Sequence, residues 1–222
     1  MATPTNTSNE TINGTPAADT IAFKDTSTIV KAGEGANTIT GTSGDIEIHA
    51  GAGADTITVT SGANEIHAGA GANTITATTG HNTITATGAG ANTITATSGN
   101  NTITTGAGAD TINLTSGDNT IDAGDGANTI TATSGNNTIT GGDDADTVTV
   151  TSGDNYIDLG NGANTVTATW GNNEVYTGVD IDTITVGAGD DEIHILGGAD
   201  TIIAGAGTDT LLVDYSAAAG AV

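Results

Sequence analysis

The sequence predicts an all-β fold: a parallel β-solenoid of about eleven 18-residue coils, with two sheets enclosing a thin core of Ile, Ala and Val. Three observations carry that expectation. A branched apolar residue recurs every nine positions, from Ile12, Ile21 and Val30 to Ile193, Ile202 and Leu211, with one extra residue inserted near Ala86 and Thr87. That residue usually sits between threonines, as T-I-T. A glycine stands four residues before it in 18 of the 20 registers from Ile39 onward, replaced only by Asp144 and Asp180.

Each element follows from a local rule. Alternation with period two sends Ile to one side of a strand and Thr to the other, and both residue types favour β structure. The glycine density and the nine-residue punctuation exclude helix. A glycine fixed at one point of every turn argues for positive φ there. The nonapeptides alternate between two kinds, GAGANTIT (69–76) and TSGNNTIT (97–104), so one coil holds two strands and two turns. Coils spaced by ~4.8 Å give a rod on the order of 50 Å long.

A longer period underlies the short one. The stretch GANTITATSGNNTIT occurs letter for letter at 90–104 and 126–140. On the first edge, the residue two before the apolar position runs Asp19, Asn37, Asp55, Asn73, then Asn92, Asp110, Asn128, Asp146, Asn164, Asp182. Aspartate and asparagine alternate, with one slip across the insertion. Larger interior residues (Val59, Leu114, Val150, Val186) accompany the Asp coils, and Ala77, Ala96, Ala132 and Ala168 accompany the Asn coils. Layers of alternating size interdigitate, so the repeat reads as a duplicated two-coil unit.

Composition narrows the function. There are 34 Gly, 2 Pro, no Cys and 2% aromatics. Such a chain builds no thick aromatic core, so hydrogen-bond ladders or bound ions must help to hold it. Against 26 Asp plus Glu stand two basic residues, Lys24 and Lys31, for a net charge of −24. Nucleic acid and anionic membrane surfaces are poor partners for that charge; a cation is the natural one. The opening MATPTNTSNETINGT has neither a basic start nor an apolar run, so it does not read as a Sec signal. No nucleophile elbow or distinct Ser-His-Asp spacing occurs, and no Lys follows the Gly turns as in a phosphate loop, so no enzymatic role is expected.

Towards the C-terminus the motif sharpens. GAGDDEIHI (187–195), LGGADTIIA (196–204) and GAGTDTLLV (205–213) resemble the RTX nonapeptide G-G-x-G-x-D-x-U-x, with U a large apolar residue. The resemblance implies a right-handed β-roll with Ca²⁺ between successive turns, held by the motif Asp and turn carbonyls. It also implies bacterial type I secretion. Carried onto this sequence, the metal-ligating positions are Asp19, Asp55, Asp110, Asp146, Asp182, Asp191, Asp200 and Asp209, with Asp143, Asp144 and Asp180 enlarging a local site. Oxygen-rich sites of this kind suit calcium. The second edge departs from the motif, with Asn64, Asn82, Asn101, Asn119, Asn137, Asn155 and Asn173 in the ligand position. Stacked asparagines read better as an amide ladder, so that edge is expected to be calcium-free until Asp191 and Asp209.

The surface adds three expectations. Ranks of outward Thr, from Thr38-Thr40-Thr42 to Thr165-Thr167-Thr169 and interrupted at Asn113, resemble the T-x-T faces of ice-binding solenoids, or form a face that joins rods. On the other sheet, Glu47, His49, Glu65 and His67 stack as two E-x-H pairs, echoed by Glu174, Tyr176, Glu192 and His194; they read as solvated side chains or a divalent-metal site. Trp170 replaces a turn Ser and is expected at the surface; His81 stands alone in a turn.

The expected organisation is an N-terminal extension (1–11), a β-roll (12–213) and a short C-terminal tail (214–222) that could serve as a secretion signal. The expected function is a secreted structural subunit, stabilised by calcium and assembling with itself, end to end or face to face, into an extracellular fibre, biofilm matrix or surface layer. The alternatives are an ice-binding protein and a spacer from a larger adhesin.

Overall fold

The computed structural model describes residues 10–24 and 28–214, so most of the N-terminal extension and all but Asp214 of the tail lie outside the described residues. Twenty-three short strands run from β1 (Thr11–Asn13) and β2 (Thr20–Phe23) to β22 (Thr201–Ile203) and β23 (Thr210–Val213). Odd-numbered strands form one 12-stranded sheet and even-numbered strands an 11-stranded one, each strand pairing with the strand two further along. The pairs are parallel and in register: Ile39 faces Ile57, which faces Ile75. No helix occurs among the described residues. This is the expected two-sheet parallel solenoid.

The alternation rule fixes the core. The T-I-T strands bury Ile and leave both Thr outside, so columns of isoleucine run down each sheet with essentially no exposure. Stacked side chains of one type contact their copies above and below, which suits the stiff, β-branched Ile. The second interior column of the even strands alternates in bulk: Ala96 on Leu114, Leu114 on Ala132, Ala132 on Val150. The same column opens with a larger step. The Phe23 ring lies in the core beside Gly41, where a Cβ would stand 2.6 Å from the ring. Gly141 likewise makes room for Leu159, whose Cδ2 would be 2.9 Å from an added Cβ.

Turn geometry explains the fixed glycine. Gly62 has φ +106°, and a Cβ there would meet the carbonyl oxygen of Gly44 at 1.9 Å. Both the conformation and the approach of the neighbouring coil require glycine. Asp144 occupies the same place with φ 89°, the one non-glycine residue with positive φ among those described.

The extra residue falls in the turn between β9 (Thr83–Ala86) and β10 (Thr93–Ala96). Both sheets absorb it without a slip: Thr74 pairs with Thr93, and Thr83 with Thr102. A register shift of one would have turned every Ile outward, so the turn takes the insertion instead.

Candidate metal-binding edges

The residue two before the buried Ile carries the edge chemistry. Its carbonyl accepts the N–H of a Thr on the next coil, as when Thr129 N–H donates to Asp110 O at 2.8 Å. Its own N–H donates to the side-chain Oδ1 of the equivalent residue one coil on: Asn37 to Asp55 at 2.7 Å, Asp55 to Asn73 at 2.9 Å, Asn128 to Asp146 at 2.8 Å. Asp and Asn perform this job equally, because both offer Oδ1. They differ in the other branch of the side chain.

On the second edge that branch is an amide nitrogen. Asn119 Nδ2 donates to the turn carbonyl of Gly117 at 2.7 Å and to Asn137 Oδ1 at 2.9 Å, and Asn137 repeats the pattern on Gly135 and Asn155. The expected amide ladder is present from Asn64 to Asn173, and it ends on Asp191 Oδ1. A second ladder, not foreseen, runs outside it in the opposite sense: Asn136 N–H donates to Asp118 Oδ1, and Asp154 N–H to Asn136 Oδ1. Its sequence signal is the variable position of T-S-G-x-N, which alternates Asn100, Asp118, Asn136, Asp154, Asn172, Asp190.

Where Asp replaces Asn, the donor is missing. Asp55, Asp110, Asp146 and Asp191 are buried, and in each Oδ2 has no hydrogen-bond partner; Asp200 Oδ2 is equally buried and unpartnered, whereas the buried Asp182 carboxyl has the Thr177 hydroxyl beside it. An unpaired buried carboxylate oxygen is costly, so each calls for a proton or a cation. Burial pushes the Asp146 carboxyl up to about 6, against the lowering effect of hydrogen bonds from Asn128, and Asp144 adds repulsion. Burial also raises Asp55 and Asp182.

The remaining candidates are placed differently. Asp19 Oδ2 is satisfied by the N–H and hydroxyl of Thr15, at 2.6 and 2.9 Å. Asp209, on the last described coil, accepts the Asp191 N–H at 3.1 Å. Asp144 and Asp180 are exposed and accept the turn N–H groups of Gly126 and Gly162 at 3.1 and 2.9 Å. Asp143 accepts the Asn161 amide at 3.1 Å. These three bond to turns rather than pointing an unpaired oxygen inward.

The periodicity and these edges match a known repeat. The family model for the RTX calcium-binding nonapeptide repeat matches residues 26–57, 49–84, 87–121, 122–157, 140–175, 149–184 and 176–211. The chain belongs to the RTX calcium-binding repeat family. Residues 85–86, between two matched segments, close β9 just before the turn that holds the inserted residue. No curated protein and no solved structure matches the chain.

The orphaned oxygens fit the RTX ion. Ca²⁺ takes six to eight oxygens, many from backbone carbonyls, and tolerates irregular geometry. Turn carbonyls would supply most of the oxygens to such an ion, and each unpaired Asp oxygen would supply charge. Among the described residues no three His, Cys, Asp or Glu side chains come together as a metal cluster. From Asn64 to Asn173 the amide nitrogen already donates to a turn carbonyl, as Asn173 does to Gly171, so among the described residues of the second edge the orphaned carboxylate oxygen is that of Asp191.

The Glu and His pairs form stacks. His49 lies on His67 with ring centroids 4.8 Å apart, and each bonds the Glu two residues before it. Tyr176 stacks on His194 at 4.1 Å and donates its hydroxyl to Glu174, which raises the phenol to about 12. One nitrogen, Nε2, of His49, His67 and His194 is thus engaged by a carboxylate. Trp170 is 59% exposed, at the surface as expected.

Proposed function

We propose that this RTX chain is a secreted structural rod in which calcium binds chiefly along the first edge, at alternate coils, and stiffens a protein whose second edge is already closed by amides. The observation that carries this reading is the buried, unpartnered Oδ2 of Asp55, Asp110 and Asp146 on the first edge, where Asn37 and Asn128 donate through their amide nitrogens instead. The RTX fold kind is structural and non-catalytic, and RTX repeat proteins are typically exported by type I secretion; the extracellular location rests on that family association.

Self-assembly is the finer part of the proposal. In the last described coil β22 and β23 pair on one side only, and Leu211, Leu212 and Val213 remain exposed. An unpaired parallel edge with apolar side chains is a template for further pairing, and a second rod is the partner proposed for it. The test is calcium titration of the purified chain, read by calorimetry and by negative-stain electron microscopy. Calcium uptake with filaments of uniform width supports both parts. Uptake by discrete short rods leaves calcium binding standing and removes assembly. No uptake at millimolar calcium removes the reading altogether.

A further inference from the structure

The outward face of the even-numbered sheet is set apart by what it lacks. From the rank Thr38-Thr40-Thr42 to Thr183-Thr185, its outward positions are Thr, apart from Asn113 and Gly187, and carry no charge in a chain of net charge −24. The opposite sheet interrupts its own Thr (Thr83, Thr85, Thr102, Thr104) with Glu, His, Asp and Lys, among them Glu47, His49, Asp122 and Lys31. A merely soluble acidic rod has no reason to clear one whole face.

The Thr columns form a two-dimensional lattice. Thr38 pairs with Thr56, Thr56 with Thr74, Thr74 with Thr93 and Thr93 with Thr111, and the columns continue to Thr183. The insertion near Ala86 does not break them. Repeats are ~4.8 Å along the rod and ~6.7 Å along the strand. Thr is stiff at χ1, so hydroxyl and methyl groups are held at fixed points rather than sampled. The central Thr of each rank is half-buried between its neighbours, which fixes it further.

A repeating face recognises a repeating partner. A second copy laid face to face is disfavoured: facing sheets pack about 10 Å apart, which holds two acidic rods within roughly the Debye length over their whole length rather than at one end. A crystalline polysaccharide is normally gripped by stacked aromatic rings, and the Thr ranks contain none. A neutral oxygen lattice needs neither charge nor rings. It needs ordered hydroxyls to hydrogen-bond, methyls beside them that restrict the orientations of the intervening water, and flatness. We propose that this Thr face binds ice, holding water in its own repeat and merging that water with the crystal lattice. The inference is independent of calcium stoichiometry and of assembly.

The test compares two double variants of the full chain in saturating calcium. T95K/T131K places charges on central Thr of the even sheet; T85K/T104K makes the same change at half-buried Thr of the odd sheet. Circular dichroism checks that both fold. The readouts are uptake of fluorescently labelled protein into slowly grown ice and the thermal hysteresis of the solution. The expected result is uptake and hysteresis for the wild type and T85K/T104K, and loss of both to the buffer baseline for T95K/T131K. Exclusion of the wild-type protein from ice, or equal uptake by both variants, overturns the proposal. A wild-type dimer in sedimentation that only T95K/T131K dissolves, without ice uptake, assigns the face to rod–rod contact and equally overturns it.

Discussion

Asn128 donates its backbone N–H to one oxygen of Asp146 at 2.8 Å, and the other oxygen of that carboxylate is buried with no partner. The pair contains the two-coil unit in miniature. One residue closes its turn with an amide; the next presents a charge that the protein itself does not balance.

Asp146→Asn supplies the missing donor. In EDTA the variant should be more stable than the wild type by about 1–3 kcal/mol, the cost of an unsatisfied buried polar group. Calcium should then raise its melting temperature less than it raises that of the wild type. Thermal melts with and without calcium check both statements; a variant that melts lower in EDTA contradicts the first.

Calcium-free stability should fall as pH rises. Asp146 is held at about 6 in the folded chain, against about 3.9 when unfolded, so the folded state binds its proton more tightly. Its contribution is present in full below about pH 4 and is lost as pH climbs through 6, on the order of 3 kcal/mol. Asp55 and Asp182 shift in the same direction, again through burial. Self-repulsion at net charge −24 adds to the trend. Urea denaturation in EDTA at pH 4.5 and 7.5 measures the difference. Calcium should close most of the gap at the higher pH and change little at the lower.

The amide ladder should be intolerant of apolar replacement. Asn137→Leu removes the acceptor of the Asn119 N–H and one of the two acceptors of Asn119 Nδ2, which keeps the Gly117 carbonyl, at a cost of roughly 1–3 kcal/mol. Asn137→Asp retains Oδ1 for Asn119 but loses the donor to Gly135 and Asn155. That variant should be less stable in EDTA and recover with calcium, so that a metal-independent edge gains a metal response. If calcium fails to restore it, the equivalence between amide nitrogen and ion is wrong.

Gly41→Ala should destabilise by about 1–3 kcal/mol, because the new methyl would stand 2.6 Å from the Phe23 ring. The same change in a Phe23→Leu background should cost less. A double-mutant cycle that shows no coupling would rule out this contact as the cause.

Much of this was legible because repetition multiplies weak signals. One T-I-T is ambiguous; a series of them at a fixed interval fixes strand, face and register together. The inner ladder was readable because Asn and Asp differ in a single atom and recur at one place. The outer ladder escaped, since its Asn136 and Asp154 lie in an exposed turn where such residues are common for many reasons. Departures from the repeat were harder still. Nothing periodic marks Thr15 as the partner of Asp19, or Gly41 as the space for Phe23; each is a local compensation that appears only once coils are stacked.

The two-coil step also makes the protein a vernier. Every residue meets its counterparts 18 or 19 positions away, and Asp and Asn coils alternate. Removing 36 residues between the identical segments at 90–104 and 126–140 would shorten the rod and leave each remaining contact matched. Removing 18 would set like coil on like, as already happens once where Asn73 meets Asn92. Rod length can therefore change by whole two-coil steps with no new junction to accommodate. Recombination between near-identical coding segments then becomes a means of resizing the molecule, with the number of charged turns rising in fixed proportion to its reach.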